Sequence, residues 1–108
     1  MPDVYAVGDM TSAGTPKAGI FAEGHAAVVV DRIVDRLAGR EPTAEYGGNG
    51  ICYIGFGDDQ VATADVTFLP GQAPFGAFEP PSARIAAKKV AFGADRVRRW
   101  FGREWAHA

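Results

Sequence analysis

The sequence predicts an α+β domain, and three observations carry that expectation. Apolar residues recur at helical spacing over residues 16–38. Two β-rich runs, 51–56 and 61–69, flank a short Gly/Asp turn. A second helical pattern fills residues 82–101. Periodicity of this kind is the primary signal of secondary structure in a single sequence. The expected order is a leading strand, a long helix, an antiparallel hairpin or small sheet, and a C-terminal helix.

Val4, Tyr5, Ala6 and Val7, ended by Gly8, read as a short buried leading strand. A loop rich in Thr, Ser and Gly follows. Thr15 is the expected N-cap of the long helix, with Pro16 at its first position. Ile20, Phe21, Val28, Val29, Ile33, Val34 and Leu37 form its apolar stripe, and Gly39 is the expected stop. Residues 40–50 connect to the hairpin and end in Gly47-Gly48-Asn49-Gly50. Gly57-Asp58-Asp59-Gln60 form the hairpin turn. Because side chains alternate, Cys52, Ile54 and Phe56 share one face, and that face is the expected buried one. Residues 70–81 read as a Pro/Gly loop carrying Phe75 and Phe78. Ile85, Phe92, Val97, Trp100 and Phe101 make the apolar stripe of the last helix.

Composition narrows the classes. With 108 residues, 47% of them apolar and 22% charged, the chain suits an ordinary globular fold rather than disorder. No apolar run is long enough for a transmembrane helix, and no basic segment followed by an apolar run marks a signal peptide. One cysteine excludes an internal disulfide, and one cysteine with two separated histidines gives no metal-site spacing, so no metal is expected. His25 reads as a packed or surface residue in mid-helix, and His107 is terminal. Charge is unevenly spread. Residues 1–81 carry four Lys and Arg against eleven Asp and Glu, whereas residues 82–108 carry seven against two. A basic tail on an acidic body suggests a polar partner or an anionic membrane face; no nucleic-acid partner is expected.

Three motifs bear chemistry. In Val4-Tyr5-Ala6-Val7-Gly8-Asp9, glycine lets a ligand approach the backbone and Asp9 can accept hydrogen bonds from sugar or polyol hydroxyls. The bland alternative is a strand whose Asp starts a turn. Thr15-Pro16-Lys17-Ala18-Gly19 opens the long helix, where free N–H groups and a partial positive charge gather; simple capping is the alternative. Cys52, within Gly50-Ile51-Cys52-Tyr53, is either an inert packed thiol or a reactive one.

Taken in order, these segments resemble the C-terminal part of the two-dinucleotide-fold flavoproteins, and most closely the sulfide:quinone oxidoreductase and flavocytochrome c sulfide dehydrogenase group. The resemblance rests on the Gly8-Asp9 run, the Pro16-Lys17-Ala18-Gly19 helix opening, the Gly-rich linker and Cys52-Tyr53. It implies that Gly8, Asp9, Lys17, Ala18 and Gly19 contact FAD, with Asp9 on the ribityl chain. It implies that Cys52 is the catalytic cysteine beside the flavin, where sulfide attacks, a persulfide or polysulfide grows, and two electrons pass to FAD and on to a quinone or cytochrome. Phe75 and Phe78 would contribute to a quinone pocket, and the C-terminal helix would touch the membrane peripherally, which implies a cytoplasmic or peripheral-membrane location. On this reading residues 1–39 end an FAD domain and residues 40–108 form a C-terminal hairpin and helix domain. The chain holds no Gly-x-Gly-x-x-Gly and no second cysteine. The expected partner is therefore a missing N-terminal FAD domain, and the fragment by itself is expected to be inactive, to bind no FAD and to pair with another copy. The competing reading is a non-catalytic dimerisation domain of another flavin-dependent disulfide reductase. Such domains supply a catalytic His beside Pro, which this chain lacks.

Overall fold

The computed structural model describes residues 1–105 and is α+β. Helix α1 (Gly19–Leu37) is followed by strands β1 (Asn49–Gly55), β2 (Val61–Thr67) and β3 (Phe75–Ser82), and then by helix α2 (Ala83–Phe101). The strands form one antiparallel sheet in the order β1-β2-β3.

Helix α1 ends as its sequence predicts. Gly39 is left-handed at φ +71°, the Gly39 N–H donates to Arg36 O at 3.0 Å, and the Arg40 N–H donates to Asp35 O at 2.8 Å. That pair of bonds satisfies the last carbonyls in a Schellman motif. Arg40 also donates its Nε to the Asp35 carboxylate at 2.8 Å. The helix start differs from expectation. Ala18, not Thr15, is the N-cap, and no side chain caps the first turn. Thr15 Oγ1 instead meets His25 Nε2 at 3.3 Å, which takes its hydroxyl away from the helix N-terminus.

The expected leading strand is absent. Residues 4–7 are assigned to no strand, although Val7 is extended at φ −136° and ψ 162°. A strand needs a neighbour to bond to, and the sheet is built wholly from later residues. The expected loop 70–81 also needs correction, because Phe75–Ser82 forms β3. Pro80 and Pro81 lack an N–H, yet an edge strand tolerates proline where no ladder bond is required.

Within the hairpin, the Phe56 N–H donates to Gln60 O and the Phe68 N–H to Gly48 O, both at 2.9 Å. Equal lengths of chain separate these bonds on the two strands, so the register runs unbroken and sets Cys52 opposite Ala64. The side chain of Asn49 confirms it by donating to Asp65 Oδ1 at 2.6 Å and Thr67 Oγ1 at 3.2 Å. Helix α2 starts at a true cap, since Ser82 Oγ accepts from the Ile85 N–H at 3.2 Å. Among the described residues, no helix is long and apolar enough to cross a membrane.

Two compact units divide the chain. One comprises Met1–Ile51 and Asp65–Gly76; the other comprises Cys52–Ala64 and the chain from Ala77 onward. In the first, Phe21 is the centre: it is 2% exposed and meets Phe68 edge-on at 5.7 Å between centroids. In the second, Ile85 and Ala62 are fully buried, and the Tyr53 and Phe92 rings meet at 5.3 Å.

Candidate functional site

The residues expected to contact a cofactor lie together in the first unit. Gly8 has φ +80°, a left-handed conformation that costs glycine least. It opens a single 3-10 turn, Gly8–Met10. The Thr11 N–H and its Oγ1 both donate to Gly8 O, at 3.1 and 2.8 Å, and close the turn. Lys17 Nζ donates to the carbonyls of Asp9 and Thr11. Its charge therefore holds the loop rather than standing free in solvent. The arrangement leaves the Asp9 side chain exposed at the surface.

Beside this turn stands the N-terminus of α1. The Phe21 and Ala22 N–H groups donate to Ala18 O at 3.1 and 3.2 Å. Among the described residues, Gly19 and Ile20 meet no backbone acceptor, and the N-cap residue, Ala18, supplies no side-chain cap. A helix start whose donors are open attracts a carbonyl or anion, helped by the partial positive charge of the helix end. One exposed carboxylate and one uncapped helix end can thus serve a ligand carrying both hydroxyl donors and a carbonyl acceptor.

A second cluster braces this loop, and the sequence reading did not find it. His25, tied to Thr15, lies edge-on to the Tyr46 ring at 5.1 Å between centroids. Tyr46 donates its hydroxyl to Asn49 O. Burial pushes the Tyr46 phenol above its usual range. The available signal was Gly24. A β-carbon there would stand 2.2 Å from the Tyr46 ring, so the ring rests where only glycine fits. Glycine inside a helix costs roughly 1 kcal/mol against alanine and asks for such a reason.

Cys52 belongs to the second unit and is exposed, as are Ile54 and Phe56 on the same strand face. The expectation that this face is buried is therefore wrong. Ile51 and Tyr53, on the opposite face, are the partly buried pair, and the Tyr53 ring takes the packing contact with Phe92. Phe75 falls in the first unit and Phe78 in the second, and both are exposed. Three residues apart on a strand, they point to opposite sheet faces.

The second unit also holds a cleft of about 360 Å³ whose walls include Asp59, Gln60, Lys89, Val90 and Trp105. Trp105 folds back across α2, for a β-carbon at Gly93 would stand 1.9 Å from its ring. Trp100 and Phe101 remain 56% and 69% exposed at the end of α2. Among the described residues, no group of three His, Cys, Asp or Glu side chains is placed to hold a metal ion. His107 lies outside the described residues. No family model, curated protein or solved structure matches the chain.

Proposed function

We propose that the chain is the C-terminal portion of an FAD-dependent oxidoreductase of the sulfide:quinone oxidoreductase type, passing two electrons from sulfide or another donor through FAD to a quinone or cytochrome. The observation that carries this reading is the pairing of exposed Asp9 with the uncapped start of α1. FAD has complementary groups: ribityl hydroxyls that donate and a pyrimidine carbonyl that accepts. These residues fit that half of the cofactor. They offer nothing for the diphosphate, which needs a cluster of backbone donors at a different helix start.

FAD, when bound, supplies the two-electron redox chemistry. The chain's own residues bind and orient. Asp9 accepts from hydroxyls, and its carboxylate makes those bonds charge-assisted. Gly19 and Ile20 donate from the helix end, whose partial charge favours electron density at the ring system's carbonyl edge. Lys17 fixes the turn that presents Asp9. Cys52, exposed on β1, offers a thiol at which sulfur from sulfide would bond, the two electrons released by forming that S–S bond being taken up by bound FAD and the two protons lost to solvent.

The test measures FAD retention. Mixed with FAD and then freed of unbound cofactor, the chain alone is colourless, because the site is split; a stoichiometric yellow complex would show that it is not. Joined to an N-terminal dinucleotide-binding portion, the protein holds FAD, and Asp9→Ala weakens that hold by roughly 10- to 100-fold, the worth of a charge-assisted hydrogen bond. Unchanged retention would remove Asp9 from the site.

A further inference from the structure

Strand β1 ends the sheet, so its outer side has no strand partner among the described residues. The hairpin register decides which backbone groups face that side. Gly48 and Phe56 bond toward β2, and alternation therefore turns the N–H and C=O groups of Asn49, Ile51, Tyr53 and Gly55 outward. The hydroxyl of Tyr46 takes the outward carbonyl of Asn49. Ile51 and Tyr53 keep two donors and two acceptors in a row. Proteins usually blunt such an edge with proline, lysine or another charge. The other edge strand, β3, has Glu79, Pro80 and Pro81, whereas β1 reads NGICYIG, with neither a proline nor a charge.

We propose that a second copy of this chain pairs with it, β1 against β1 and antiparallel, about a two-fold axis at Cys52. Cys52 is the midpoint of Asn49–Gly55, so the register that overlaps the whole strand sets Cys52 opposite its twin. Ile51 then exchanges both its bonds with Tyr53 of the partner subunit, and Tyr53 with the partner's Ile51. Cys52 becomes a non-hydrogen-bonded pair, with Cα atoms about 4.5 Å apart. That separation lies within the span a disulfide bridges. The pairing does not depend on the flavoenzyme reading, since it uses only the hairpin.

Three measurements on the native chain and two variants decide the matter. Across about 1 μM to 1 mM, the range of weak association, the apparent mass rises from 11.4 kDa toward twice that value. Over the same range the Ile51 and Tyr53 amides exchange more slowly, while those of Cys52 and Ile54, already bonded to β2, do not change. Diamide joins two copies through Cys52: the two thiols lose two electrons and two protons, which reduce diamide to its hydrazine. Ile51→Pro removes an outward N–H without touching the β2 ladder and abolishes both the dimer and the rapid cross-link. Leu37→Glu, which charges the exposed end of the α1 stripe, leaves both intact. A chain that stays monomeric at 1 mM overturns the proposal. So does a dimer that Leu37→Glu dissociates and Ile51→Pro spares, or concentration-independent exchange at Ile51 and Tyr53.

Discussion

Replacing Gly50 with alanine sets a methyl group against the most buried ring of the first unit and reads how closely Phe21 is seated. A β-carbon at Gly50 would stand 2.5 Å from Phe21 Cζ and 2.7 Å from Cε1, well inside van der Waals contact. Phe21 is 2% exposed and also packs edge-on against Phe68, so the ring has little room to yield. Overpacking of this kind costs about 1–3 kcal/mol. Removing the ring by Phe21→Ala costs about 3–5 kcal/mol, a large part of the roughly 5–15 kcal/mol that holds a small domain together. With the ring gone, the methyl at position 50 meets space. Alanine also loses less backbone entropy than glycine on folding, by roughly 0.5–1 kcal/mol. Gly50→Ala therefore destabilises the wild type and stabilises the Phe21→Ala protein. Urea unfolding of the four proteins with a shared m-value measures the cycle. Phe21→Leu provides a milder background if Phe21→Ala does not fold. Single effects that add to within about 0.5 kcal/mol would refute the packing argument.

Ser82→Ala removes the one side-chain cap of α2 and costs about 1 kcal/mol, a fall in Tm of roughly 4–8 °C for a domain of this size; an unchanged Tm would mean the cap contributes nothing. Tyr46, raised above 10.0 by burial, gives stability that is fully present below the unfolded value and lost as pH climbs through the folded one. A series of Tm values from about pH 9 to 11 should show that alkaline slope in wild type and its loss in Tyr46→Phe; equal slopes would remove Tyr46 as the source. The basic α2, with Trp100 and Phe101 exposed at its end, should sediment with anionic liposomes at low salt. Part of that binding should survive about 0.5 M salt if the aromatic rings insert, and no sedimentation at low salt would show that the helix avoids membranes.

Much of the fold was legible because its signals are local. Gly39 announces the end of α1 by a backbone conformation that glycine adopts most readily, and the apolar spacing from Ile85 to Phe101 announces α2. The misreadings all depend on partners distant in sequence. Residues 4–7 have strand composition but no strand to bond to. Phe75–Ser82 has turn composition yet joins the sheet, because an edge position exempts Pro80 and Pro81 from ladder bonding. Alternation correctly grouped Cys52 with Ile54 and Phe56, but both faces of β1 are apolar, so pattern alone could not choose the packed one. Asp9 followed by a nearby helix start was legible, but the sequence pattern sets that start at Pro16, whereas α1 begins at Gly19. The bond from Thr15 to His25, which takes the expected cap away, was not legible, because it depends on the loop folding back over α1.

Sulfide-dependent bleaching of protein-bound FAD in the absence of oxygen tests the proposed function most directly. It is measured on the chain joined to the FAD-binding N-terminal portion that the proposed function requires, as wild type and as Cys52→Ser. The wild type loses its yellow absorbance when sulfide is added, and Cys52→Ser keeps both its FAD and its colour, since a hydroxyl cannot take up sulfur as a thiol does. Bleaching of Cys52→Ser at the wild-type rate would contradict the role given to Cys52, and a wild type that keeps its yellow absorbance in sulfide would contradict sulfide as the electron donor.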